Sequence, residues 1–353
     1  MNRVSSLDRD KVWKFIEHFT DLAAGAATVG VLAVADRAGL LSALAEAGWI
    51  TPARLAEDRF DARYVEEILS ALASAGVVEH DPETGRFRLP AETAACLADA
   101  TSPYLMAGWL DLLPAVMGSI DTLAAAAVSG GGVPLNSFDD RVVVGIDRSN
   151  SPASRILLTR RWLPMLPELV ARLEHGIRVA DIGCGSGTAA LSMARAYPAS
   201  TVVGYDIDPR AIERARHETA ASGLSNVSFE AITGEEIPHG FDLITTFDVI
   251  HDLPDPYAVL VRIREALNPG GTYFMMEPNA GPTLADNINP WGTLLYGISV
   301  LYCLPQSLVG NGPGLGAAWG PVRAEELCRR AGFTHFRRLE IDNPFSAFYE
   351  VRP

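Results

Sequence analysis

Lysine is nearly missing from this chain. Only Lys11 and Lys14 occur among 353 residues, and 43 Asp and Glu against 29 Lys and Arg leave a net charge of −14. A polyanion is therefore excluded as the main partner, because phosphate recognition runs on Lys and Arg. Cysteine is also scarce. Cys96, Cys184, Cys303 and Cys328 are scattered, form no CxxC and have no histidine nearby in sequence. That excludes a disulfide or zinc framework and fits reduced thiols in a cytoplasmic protein. No metal-ligand cluster is visible, so no metal is expected. Long apolar runs are absent too: "LAAGAATVGVLAVA" (22–35) is too short to span a bilayer and lacks a basic segment before it. It reads as a buried helix, and no membrane span is expected.

What is present is ordinary core material, with 48% hydrophobic residues in a length that suits two domains. Residues 8–75 carry apolar positions at helical spacing. Thr51 with Pro52 starts one short helix, and "DARYVEEILSALASAG" makes another, closed by Gly76. "VVEHDPETGRFRLP" follows as a hairpin turning at Pro82–Gly85. Helix, turn, helix and hairpin describe a winged helix within an α-rich domain at 1–100. A helical connector at 101–162 is broken by the loop "SGGGVPLNSFDD" (129–140).

From about residue 177, "IRVADI", "TVVGYD", "VSFEA", "FDLITTF" and "GTYFMME" alternate with helical stretches. This alternation predicts an α/β domain at 163–353 with a doubly wound parallel sheet, completed by a helix and an antiparallel hairpin. In "VADIGCGSGTAA" a strand runs into glycines and then a helix, a turn that lets a ligand approach the backbone. Asp181 precedes Gly183, Gly185 and Gly187; Thr188 stands where a dinucleotide fold wants its third glycine. Asp206 ends the second strand, suited to ribose hydroxyls.

These residues resemble the class I S-adenosylmethionine-dependent methyltransferases, which have a Rossmann-like, seven-stranded sheet with the last strand antiparallel. The resemblance implies S-adenosylmethionine as cofactor and S-adenosylhomocysteine as product. The cofactor residues it implies are Asp181, the three glycines, Asp206 with Ile207 beside it, Thr233 or the Gly234 backbone at the adenine, and Phe247 and Asp248 after strand four. Thr233 departs from the family, where an Asp often takes that place.

"HDLPDPYAVLVRIREALNPGGTYFMMEP" resembles the winged-helix small-molecule O-methyltransferases. In that family the matching histidine, His251 here, is the general base, and the matching glutamate, Glu277, positions it. Leu253 replaces the usual Trp, and "AAWGPVRAEEL" lacks the second carboxylate that often precedes the last helix. The plainer alternative has His251 cap the strand and line the pocket. The chain as a whole is similar to actinobacterial, mycobacterial-type members, whose relatives are often labelled transcriptional regulators.

The apolar insertion 283–320, with Trp291, Tyr296 and Tyr302, reads as a lid over a lipophilic acceptor or as a helix packed on the core. Trp109 is placed on the pocket's other side, and the glycine-rich tail 310–320 is taken as a mobile edge. The resemblance makes the N-terminal domain a homodimerisation unit. DNA binding is disfavoured, since acids outnumber Arg about two to one between residues 30 and 100. A cofactor-sensing regulator and an N- or C-methyltransferase remain the rival functions. The identity of the acceptor is not readable.

Overall fold

The computed structural model describes residues 7–353; residues 1–6 of the expected first domain lie outside the described residues. The chain divides into two compact units. The first runs through Pro114 and takes in Arg141–Ser149; the second holds Ala115–Asp140 and Asn150–Pro353. The expected connector is thus shared between the units.

In the first unit, Arg9–Arg37 is one 29-residue helix, followed by Leu40–Ala47, Pro52–Ala56, Ala62–Ser74 and Ala91–Leu97. The hairpin pairs β1 (Glu79–Asp81) with β2 (Arg86–Arg88). Asp61 caps the fourth helix by accepting from the Arg63 and Tyr64 amides. Thr51 precedes its helix as expected, but its hydroxyl makes no capping bond. Leu40, Leu41, Leu44, Val65, Leu69, Leu72 and Phe87 form the core.

The segment 22–35 corrects the sequence reading. Only Leu32, Ala33 and Ala35 of the long helix are buried; Val12, Trp13, Phe15, Ile16, Phe19 and Leu22 are exposed. Because the helix extends well before Leu22, it is long and apolar enough, by length and composition, to cross a membrane. Its first half nevertheless carries Asp10, Lys11, Lys14, Glu17 and Asp21, charges that a lipid-embedded helix avoids.

The second unit holds a seven-stranded sheet: β3 (Arg178–Ile182), β4 (Thr201–Asp206), β5 (Val227–Ala231), β6 (Phe241–Phe247), β7 (Leu267–Pro278), β8 (His335–Arg338) and β9 (Ser346–Arg352). The order is β5-β4-β3-β6-β7-β9-β8. β3 to β7 are parallel, and β9 runs antiparallel to both β7 and β8, as the closing hairpin predicts. Alternation along the strands fills both faces. Val179, Leu243, Phe274 and Phe348 pack on one side; Ala180, Ile244, Tyr273 and Tyr349 pack on the other. Each large side chain so buried contributes about 1.5–3 kcal/mol.

β7 starts at Leu267, earlier than "GTYFMME" suggests, because the preceding helix ends at Ala266. Pro269 disfavours helical backbone at Asn268, which turns that stretch extended. The chain leaves β3 outward through β4 and β5, then returns to place β6 against β3. That reversal opens a crevice at the carboxyl ends of β3 and β6, where open α/β sheets bind ligands.

Candidate active site

The loop after β3 is shaped by its glycines. Gly183 (φ 66°) lies so close to Val249 that a Cβ would sit 2.5 Å from its Cγ2, and at Gly187 (φ 84°) a Cβ would meet the Phe229 ring at the same distance. Gly185 (φ 54°) faces open space, as a residue must where a ligand lies along the backbone. Helix Thr188–Ala196 starts immediately afterwards.

Three carboxylates surround this cradle. Asp181 is fully buried; its Oδ1 accepts from Thr245 Oγ1 at 2.7 Å, and its Oδ2 has no hydrogen-bond partner. Burial pushes it up to about 7. Asp206 accepts from the Gly185 and Asp208 amides at 2.8 and 2.9 Å, and burial raises it too. Asp248, held at φ 56° just past β6, accepts from Asn150 Nδ2 at 3.3 Å and is pushed up to about 7 by burial. Desolvated carboxylates around a glycine turn would repel the pyrophosphate of a nicotinamide dinucleotide. They suit a ligand carrying a sulfonium, an ammonium and ribose hydroxyls.

The methyltransferase-domain family model matches residues 173–306. The second unit carries a class I methyltransferase domain. Its cofactor, S-adenosylmethionine, fits the residues present: the orphaned Asp181 oxygen, the open face of Gly185 and the remaining lone pairs of Asp206. The Rv2258c-like winged HTH domain model matches residues 26–99.

The methyltransferase domain is similar to ubiquinone biosynthesis O-methyltransferase from Neisseria meningitidis serogroup C, at 34% identity over 112 residues. That match covers 31% of this chain and 47% of the relative, so the chain spans about half the length of the curated relatives it matches. Two solved structures share the fold. Human N-acetylserotonin methyltransferase, in complex with the cofactor, has a TM-score of 0.68 at 22% identity, covering 99% of each chain. Mitomycin 7-O-methyltransferase has a TM-score of 0.69 at 19% identity, covering 98% of this chain and 99% of its own.

Other residues of the methyltransferase domain fall near the cradle with different roles. Ile207 follows Asp206 and is 66% exposed, leaving its apolar face open. The Thr233 hydroxyl and amide both donate to Glu236 Oε2, so the hydroxyl keeps only accepting lone pairs. At Gly234 a Cβ would meet Val259 at 3.1 Å and Ile182 at 3.2 Å, a tight fit. Phe247 is partly buried, with its ring 6.2 Å from that of Phe274.

His251 lies in a short turn after β6 and is 3% exposed; Glu277 ends β7 and is 1% exposed. The imidazole Nδ1 is 2.7 Å from Glu277 Oε2. The same carboxylate accepts from the Ile250 amide at 3.0 Å and from Trp319 Nε1 at 3.2 Å. Trp319 thus adds a second donor to the Glu277 carboxylate. On the far side of the ring, Nε2 is 3.1 Å from Asp252 Oδ1. Burial alone would lower the imidazole, but the charges of Asp252 and Glu277 outweigh it and hold His251 well above 6.5.

Sequence reasoning missed Asp252, Cys303, Trp319 and Asn150. Cys303, assigned no histidine neighbour, reaches the far side of the His251 ring, because the insertion folds back over the β6 turn. Of the aromatic residues expected around the acceptor, Tyr302 is buried, edge-on to Phe138 at 5.4 Å, where the Asp252 charge reaches it. Trp291 packs edge-on against Phe345 at 4.6 Å, its buried Nε1 without a partner. Tyr296 is 37% exposed. Trp109 belongs to the first unit.

Part of the glycine-rich tail is tied to the domain by hydrogen bonds. The Gly316 amide donates to the His251 carbonyl at 3.2 Å, and the Ala317 amide to Ser299 Oγ at 3.1 Å. At Gly312 a Cβ would stand 2.0 Å from the Ser307 carbonyl oxygen. These glycines permit close backbone approach.

Proposed function

We propose that this chain transfers a methyl group to the hydroxyl of a small lipophilic compound, with His251 as general base and Glu277 as its positioning residue. The observation that carries the reading is the buried His251–Glu277 pair at 2.7 Å, just beyond the crevice edge where the cofactor cradle ends. When bound, S-adenosylmethionine supplies an electrophilic methyl and a neutral thioether leaving group. The protein's own work is to orient the acceptor and take its proton. Glu277 holds the Nδ1–H tautomer, so the hydroxyl proton passes to Nε2, and the carboxylate steadies the imidazolium that results. His251 serves only in its neutral form, so the reaction slows as pH falls through its raised pKa.

The apolar insertion supports a lipophilic acceptor, with the Trp291 indole N–H available as a donor. The O-methyltransferase names of the relatives agree with this reading. The test is turnover against lipophilic phenols and alcohols. His251→Ala should lose about 10²-fold or more of kcat. Near-full activity in that variant, or methylation only of amines or carbon acids, would overturn the assignment.

The protein is further proposed to act as a homodimer in a reducing compartment, with the exposed Val12, Phe15, Ile16 and Phe19 face of the long helix as contact. Sedimentation should show a dimer that Phe15→Glu dissociates. A DNA-regulator role fits less well, because Arg54, Arg63 and Arg88 are each ion-paired with Glu57, Glu67 and Glu79. Salt-dependent duplex binding that changes with the cofactor would restore it.

A further inference from the structure

The far side of the His251 ring poses a charge problem. With Nδ1–H turned to Glu277, the Nε2 lone pair faces Asp252 Oδ1 at 3.1 Å. Among the described residues that buried oxygen has no hydrogen-bond partner, while Asp252 Oδ2 is reached by Gln306 Nε2 at 3.5 Å. Two electron-rich atoms in a dry site repel unless positive charge lies between them. A proton on Nε2 is one solution. The Cys303 thiol, within hydrogen-bonding reach of His251 and Asp252, is a second; a metal ion is a third, with the buried Cys303 Sγ as a further donor and all three ligand atoms within 4.8 Å of one another.

We propose that His251 Nε2, Asp252 Oδ1 and Cys303 Sγ form a binding site for a thiophilic divalent cation of the zinc type. The mixed nitrogen, oxygen and sulfur set suits such an ion and not calcium or magnesium, which take oxygen ligands. Glu277 behind Nδ1 supplies the carboxylate that orients a metal-bound imidazole. An ion there takes the electron pair that accepts the substrate proton, so the loaded site is closed to base catalysis and the metal acts as a brake. That consequence rests on the reading of His251 as base; the binding does not.

The test starts with the full-length protein freed of metal by chelation and titrated with Co²⁺ alone. Intense tetrahedral d–d bands and a thiolate-to-cobalt charge-transfer band should saturate at one ion per chain and be displaced by Zn²⁺. Cys303→Ala should lose the charge-transfer band, and Cys303→Ser serves as a second probe if the alanine variant fails to fold. Glu277→Gln should weaken Zn²⁺ binding about 10–100-fold. Zinc loading should lower phenol methylation about 10²-fold, reversed by chelator. Absence of the charge-transfer band, or its persistence in Cys303→Ala, refutes the site. Full activity of the zinc-loaded protein refutes the brake. A cobalt–thiolate site in a protein that methylates no hydroxyl would refute the proposed function and leave the site standing. His251-dependent methylation without cobalt binding would do the reverse.

Discussion

Asp252→Asn offers a direct measure of what holds the proton on His251. At an effective dielectric of about 20, unit charges 3.1 Å apart attract by about 5 kcal/mol. Desolvation of both groups offsets much of that, and one nearby opposite charge typically shifts a pKa by about 1–3 units, or about 1.4–4 kcal/mol. The variant should therefore lower the His251 pKa without abolishing its elevation, because Glu277 remains on the other nitrogen. The pKa is read by NMR titration of histidine-labelled protein under chelator, with the resonance assigned by its loss in His251→Gln. The acid limb of kcat/KM should move down by the same amount, making the variant relatively faster below neutrality. A His251 pKa unchanged in Asp252→Asn, or lowered with no movement of the limb, would refute the account of the base.

Two further outcomes follow from the cradle. Gly187→Ala drives a methyl group into the Phe229 ring at a positive φ, and should cost about 1–3 kcal/mol in thermal or denaturant unfolding together with cofactor affinity. Asp181→Asn bears on pH. A carboxyl raised from 3.8 to about 7 binds its proton more tightly in the folded state, so its stability contribution is present at low pH and lost between about pH 4 and 7. The variant should therefore melt higher than the parent at pH 8 and bind S-adenosylhomocysteine more weakly by calorimetry. A parent-like melting curve at pH 8 would refute the burial cost.

The sheet was legible because buried parallel strands are continuous β-branched and aromatic runs set between glycine and proline breaks. "FDLITTF" and "TVVGYD" appear as strands over those very residues. The cradle was legible because its residues are close in sequence. His251 and Glu277 could be paired only through family resemblance, since 26 residues separate them. What stayed hidden depends on the insertion folding back: Cys303 and Trp319 reach the dyad from 52 and 42 residues away in sequence. The long N-terminal helix misled for a related reason. Apolar periodicity says that a face wants cover, and nothing in the sequence says whether that cover comes from the same chain.

The way the insertion is tied down bears on how such a protein can be altered. The glycine cradle and carboxylates proposed for the cofactor lie at the ends of β3, β4 and β6, while the surface proposed to choose an acceptor lies between β7 and the last helix. Swapping that segment for another would look like a free exchange of specificity. It is not free, because Gly316 holds the backbone of His251 and Trp319 holds the carboxylate of Glu277. A graft that changes Trp291 or Tyr296 but keeps residues 312–319 should keep the His251–Glu277 pair in place, whereas one that replaces the whole stretch disturbs the proposed base along with the pocket.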